Sequence, residues 1–94
     1  MMHSYSLMFY DRWDDRWNHS GKFPRQGHSS PEDYLSSLRK FCAASEANQK
    51  IFSQNQNVLY RVVYFESGAW HNTSYQAHLF SLLQPRSNIA EIET

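Results

Sequence analysis

Residues 58–66, Val-Leu-Tyr-Arg-Val-Val-Tyr-Phe-Glu, are β-branched or aromatic almost throughout. Apart from Arg61 and the terminal Glu66, they are apolar on both faces of an extended chain. Such a strand needs a neighbour on either side and cover on both faces, so it is expected at the centre of a sheet. Ser67-Gly68 follows as a two-residue turn. A hairpin closed there sets Phe65 opposite Trp70, Tyr64 opposite His71 and Tyr60 opposite Tyr75.

A central strand needs a covering layer, and the helix signal lies upstream. Ser30 suits an N-cap, Pro31 the first helical position, and Glu32 and Asp33 the positive end of the helix dipole. Tyr34, Leu35, Leu38, Phe41 and Cys42 then fall on one apolar face, which predicts a helix from Pro31 to about Ser45. Glu46 to Gln54 reads as a second helical piece with Ala47, Ile51 and Phe52 inward. Residues 53–57, Ser-Gln-Asn-Gln-Asn, end it.

Residues 4–10 alternate, with Tyr5, Leu7 and Phe9 on one side and Met8 and Tyr10 on the other. Tyr5, Phe9, Trp13 and Trp17 also form a helical stripe, but the density of β-formers favours a strand to about Asp11. Residues 18–30 read as one long loop punctuated by Gly21, Pro24 and Gly27, with little to offer a core. Residues 69–80 are expected as a strand, although Tyr75, Leu79, Leu82 and Leu83 fit a helix face equally well. Residues 86–94 are expected as a flexible tail. The fold class is therefore α+β: one domain over 1–94, with a small antiparallel sheet of about three strands. The order is β-α-β-β, with one main helix on one face.

Composition narrows function. A chain of 94 residues buries only about two thirds of its unfolded surface, and 16% of it is aromatic. That load on so small a shell points to self-association as a homodimer. Nine basic and nine acidic residues cancel, which argues against non-specific duplex DNA binding. The single cysteine, Cys42, forms no internal disulfide or cysteine-based zinc site and is expected as a buried structural thiol. Met1 to Ser6 lacks the form of a secretory leader, and no apolar run reaches the ~18 residues of a membrane span. A cytoplasmic protein without a membrane partner is expected, and the sequons at Asn18 and Asn72 are read as coincidence.

Catalytic signatures are missing. The five histidines fall in no metal-binding motif, and no nucleophile elbow, Walker loop or dinucleotide fingerprint occurs. Neither an enzyme nor a bound metal or cofactor is expected; a small hydrolase using the loop histidines and aspartates is a remote third class.

The strongest functional signal is the run Asp11-Arg12-Trp13-Asp14-Asp15-Arg16-Trp17, in which Asp-Arg-Trp occurs twice. Indoles and arginines are enriched in interface hot spots. Trp13 and Trp17 are expected as anchors, Arg12 and Arg16 as carboxylate partners, and Phe23 and Arg25 as the rim. The bland alternative is that the indoles cap the core and the charges form solvated ion pairs. By size and character alone, the chain resembles small inhibitory or adaptor proteins of phage or plasmid type, which act by occluding a partner protein. The runner-up is a single-strand nucleic-acid binder using the same aromatics and cations. Against it, Asp11, Asp14 and Asp15 cancel most of the nearby positive charge.

Arg61 is the oddest charge. On an otherwise apolar strand it needs a partner, or one face of the sheet that stays wet.

Overall fold

Ser30 starts the main helix as its chemistry dictates, its hydroxyl accepting from the Asp33 N–H at 3.1 Å ahead of Pro31. The computed structural model describes residues 1–84. In it the chain runs β1 (His3–Asp11), β2 (Arg16–His19), β3 (Gln26–His28), α1 (Pro31–Ala43), α2 (Glu46–Gln54), β4 (Leu59–Glu66), β5 (Ala69–His78) and the single turn α3 (Leu79–Leu82). The expectation for 86–94 lies outside the described residues.

The fold is α+β with an antiparallel sheet, of five strands among the described residues rather than three. No described helix is long and apolar enough to cross a membrane. β1 and β4 pair along the middle, from Ser4–Phe65 to Phe9–Tyr60. β5 lies beyond β4, and β2 and β3 lie end to end along the outer edge of β1. The expected central position of 58–66 holds; its expected cover by a layer on both faces does not. Tyr5, Leu7, Tyr60 and Val62 point towards the helices and join Tyr34, Leu35, Leu38 and Cys42 in the core. Met8, Arg61, Phe65 and Trp70 point the other way, where no helix of the described residues lies.

Residues 18–30 are not one loop. The chain reverses earlier, in the turn Arg12–Asp15, and β2 runs back along β1. After His19 the chain leaves the edge, passes through residues 20–25 and returns as β3 against His3–Tyr5. That excursion contributes to the core. Phe23 is only 4% exposed and packs edge-on against Tyr60 at 5.7 Å and Phe41 at 6.1 Å. The excursion is pinned at both ends, by Ser20 N–H donating to the Leu7 carbonyl and by the Tyr34 hydroxyl donating to the Pro24 carbonyl at 2.7 Å.

Ser45 caps α2 as Ser30 caps α1, and α2 spans the expected Glu46–Gln54. Ile51 and Phe52 pack on the core, whereas Ala47 is exposed and not inward as expected. Ser67 and Gly68 both have positive φ, 53° and 79°, the backbone of the tight turn that matches strand twist. The register beyond the turn is Phe65–Trp70 and Tyr64–His71 as expected, but Tyr60 faces Ala77 instead of Tyr75. The cause is a bulge: Thr73, Ser74 and Tyr75 together face Val62. Thr73 closes it, its hydroxyl donating to the Val62 carbonyl at 2.8 Å and accepting the Tyr75 N–H. The ambiguous segment 74–83 resolves as both readings in turn, strand to His78 and then a helical turn that buries Leu79 and Leu82.

Candidate functional site

The Asp-Arg-Trp run forms a hairpin tip. The Asp11 carboxylate accepts from the N–H groups of Trp13 at 3.0 Å and Asp14 at 3.3 Å, folding the chain back on itself. Asp15 takes the left-handed conformation, φ 53°, that reverses the strand. It also accepts from the Tyr10 hydroxyl, which keeps the phenol proton bound to a higher pH than usual. Arg12 and Arg16 are exposed, and Arg16 lies 3.8 Å from Asp14 across solvent, a pair worth ~0–1 kcal/mol. Trp13 is 97% exposed, so the bland reading of it as a core residue is excluded.

Below the tip is a cleft of about 310 Å³. Phe9, Trp13, Val58 and Tyr60 give it apolar walls, and Ser20, Lys22 and Asn55 its polar groups. Lys22 Nζ donates to Asn55 Oδ1 at 3.3 Å. Asn55 is itself buried and donates to the Ile51 carbonyl.

Trp17 belongs to a different surface. It faces Tyr10 across β1 and β2 at 5.6 Å, on the sheet face away from the helices. The Arg61 guanidinium lies over its indole at 3.7 Å and donates to Asn72 at 3.3 Å. Arg61 Nε is buried without a hydrogen-bond partner among the described residues. At the other end of this face, Trp70 meets Phe65 at 5.2 Å, His19 at 4.9 Å and the Arg25 guanidinium at 5.3 Å. His19 and Trp70 reach towards each other over the two middle strands, which leaves Val63 and Ser6 each 1% exposed beneath.

The six residues expected to act together therefore occupy three places. Arg12, Trp13 and Arg16 share the tip. Trp17 and Arg25 sit at opposite ends of the open sheet face. Phe23 lies in the core and not on a rim, because its ring fills the space between α1 and Tyr60. Tyr10, His19 and Trp70, which complete this face, are not among the six expected site residues. For Tyr10 the signal is alternation, since it falls on the strand side opposite the apolar series Tyr5-Leu7-Phe9, as Arg61 does opposite Tyr60-Val62-Tyr64.

Burial holds the His19 imidazole below the ordinary histidine range, and the nearby Arg25 guanidinium adds to this. Ser6 Oγ shares a hydrogen bond of 3.0 Å with its Nδ1. The unfolded chain therefore binds this proton near about pH 6.5, and the folded chain only at lower pH. Stability from His19 is complete above that range and is lost as pH falls through the folded value. Thermal melting should fall in temperature as pH drops below about 6.5, and His19→Gln should flatten that slope; an unchanged slope would refute the assignment.

Burial also pushes the Cys42 thiol up, away from thiolate chemistry. Among the described residues, no group of three or more His, Cys, Asp or Glu side chains converges as a metal site. No protein-family profile, curated protein or solved structure matches this chain.

Proposed function

We propose that the protein acts by binding another protein through the Arg12–Asp15 hairpin tip and sterically occluding the surface it docks on. The observation that carries this reading is Trp13, an indole held 97% exposed at the apex of a turn. An exposed tryptophan contributes nothing to the core, and its backbone is fixed before any partner arrives by the Asp11 carboxylate. A preorganised backbone spares the loop's ordering cost on docking. Arg12 and Arg16 flank it as donors for a partner's carboxylates, and the cleft behind it accepts whatever follows the anchor.

Trp13→Ala separates this role from folding. Its melting should stay within about 0.5 kcal/mol of the parent, as for a surface change. Its affinity for the partner captured from a native-host extract should fall about 30-fold or more, the loss expected of a hot-spot indole. Undiminished capture by a folded Trp13→Ala protein would overturn the proposal.

A further inference from the structure

We propose a second, independent binding site on the sheet face that the helices leave open, taking single-stranded nucleic acid. The reading does not rest on the hairpin tip.

The face carries two similar stations. One is Trp17 with Tyr10 beside it and the Arg61 guanidinium 3.7 Å above it. The other is Trp70 with Phe65 and the Arg25 guanidinium at 5.3 Å. Trp17 lies level with Tyr10, and Trp70 level with Phe65 and its β1 partner Ser4. Their backbone positions are about 20 Å apart along the strands at the usual rise per residue. The Trp70 ring, however, reaches back to within 4.9 Å of His19, two residues from Trp17 on β2, so the rings themselves lie closer together. A single strand of nucleotides suits a face that carries two aromatic–guanidinium stations: each base has a π-face for an aromatic, and each phosphate an acceptor for a guanidinium. A duplex does not match, because its bases are already stacked on one another.

Charge supports the same ligand. Neutrality of the whole chain hides an uneven distribution. Arg25 and Arg61 are the fully charged groups of this face, with Asp15 at its margin already taking the Tyr10 hydroxyl. The other described carboxylates lie elsewhere: Asp11 and Asp14 in the turn, Glu32, Asp33 and Glu46 on the helices, and Glu66 beside His3. The cancellation that weakens a nucleic-acid reading of the Asp-Arg-Trp run therefore does not apply here. Arg61 has five N–H donors and among the described residues makes one hydrogen bond, to Asn72. Nε is buried, which leaves the Nη groups as the donors a phosphate would meet. Among these rings Phe65, 42% exposed, offers open stacking surface, while each indole already carries a guanidinium against its ring.

The test is fluorescence anisotropy of fluorescein-labelled oligothymidylate and oligouridylate with the whole protein at low and raised salt. Binding is expected at low salt. Two phosphate contacts predict a log–log salt slope of about −1.4. Arg25→Gln and Arg61→Gln should each lower affinity and roughly halve that slope. Trp70→Ala should cost about 5- to 150-fold. Lys40→Gln and Lys50→Gln, which remove the same charge from the helices, should change nothing. The thymidylate and uridylate arms decide between DNA and RNA. Melting of each variant reports folding, and Arg25, being exposed, keeps the test open if Arg61→Gln unfolds. Absence of binding at low salt would overturn the proposal, as would equal losses from the lysine variants. A concentration-dependent dimer that the arginine variants dissociate would assign this face to a second copy of the chain instead.

Discussion

Phe23→Ala should destabilise the protein by about 3–5 kcal/mol, the usual cost of emptying a buried aromatic site. The residue lies in a segment that looks like surface loop, between Lys22 and Pro24, yet its ring is 4% exposed and meets Tyr60 and Phe41 edge-on. Truncation leaves a cavity between α1 and the sheet, against the rings of Phe41 and Tyr60. It also releases the excursion that separates β2 from β3, so both short strands lose their anchor. A domain of this size has about 5–14 kcal/mol in total, so the change removes a large share. Chemical denaturation measures it directly. A loss below about 1 kcal/mol would mean that Phe23 is not packed as described. The comparison with Trp13→Ala is informative, because it places the large loss at the residue that looks like loop and the negligible one at the indole.

Tyr34→Ala should cost a similar amount, about 3–5 kcal/mol. Tyr34 is fully buried, stacks on Tyr5 at 5.7 Å and donates its hydroxyl to the Pro24 carbonyl. Burial also pushes its phenol well above the ordinary tyrosine range, so the hydroxyl stays protonated and remains a donor throughout the neutral range. Tyr34→Phe keeps the ring and removes only the donor, so it should cost about 1 kcal/mol. The difference between the two substitutions apportions the effect between packing and the hydrogen bond. Because Pro24 adjoins Phe23, the two sites hold one excursion. The double substitution Phe23→Ala, Tyr34→Ala should therefore deviate from additivity. Denaturation midpoints of the two singles and the double check this, and strict additivity would show that the excursion is held elsewhere.

Where residue type and spacing act locally, sequence reasoning reached the structure. The capped helix at Pro31, the second helix at Glu46–Gln54 and the Ser67-Gly68 turn all follow from neighbours within a few positions. So does the register next to that turn. What was lost depends on contacts distant in sequence. β2 and β3 have four and three residues, too few to show a period, and they exist because the β1 edge offers partners. The hairpin tip contains no glycine or proline. Asp11 and Asp15 supply the turn instead, so nothing in the residue types marks a reversal between Arg12 and Asp15. Nothing local announces that Thr73 closes a bulge, yet that bulge moves Tyr75 away from Tyr60. The candidate site was legible as a set of residue types, and Arg61 in particular was rightly seen to need either a partner or a wet face. How those residues divide among tip, core and open face is decided by strand parity and by the excursion.

The broken edge has a consequence for how copies of this chain behave at high concentration. A free strand edge is a template for another chain, and repeated addition leads to insoluble fibres. Net charge ordinarily opposes such growth by repulsion, and here the formal net charge is zero. Geometry takes over that role. Along β1, an incoming strand meets two short segments interrupted where residues 20–25 turn inward. On β5, the outer strand at the other side among the described residues, it meets the bulge at 73–75. Among the described residues neither border presents a long, straight row of unpaired amides, which disfavours growth from strand to strand.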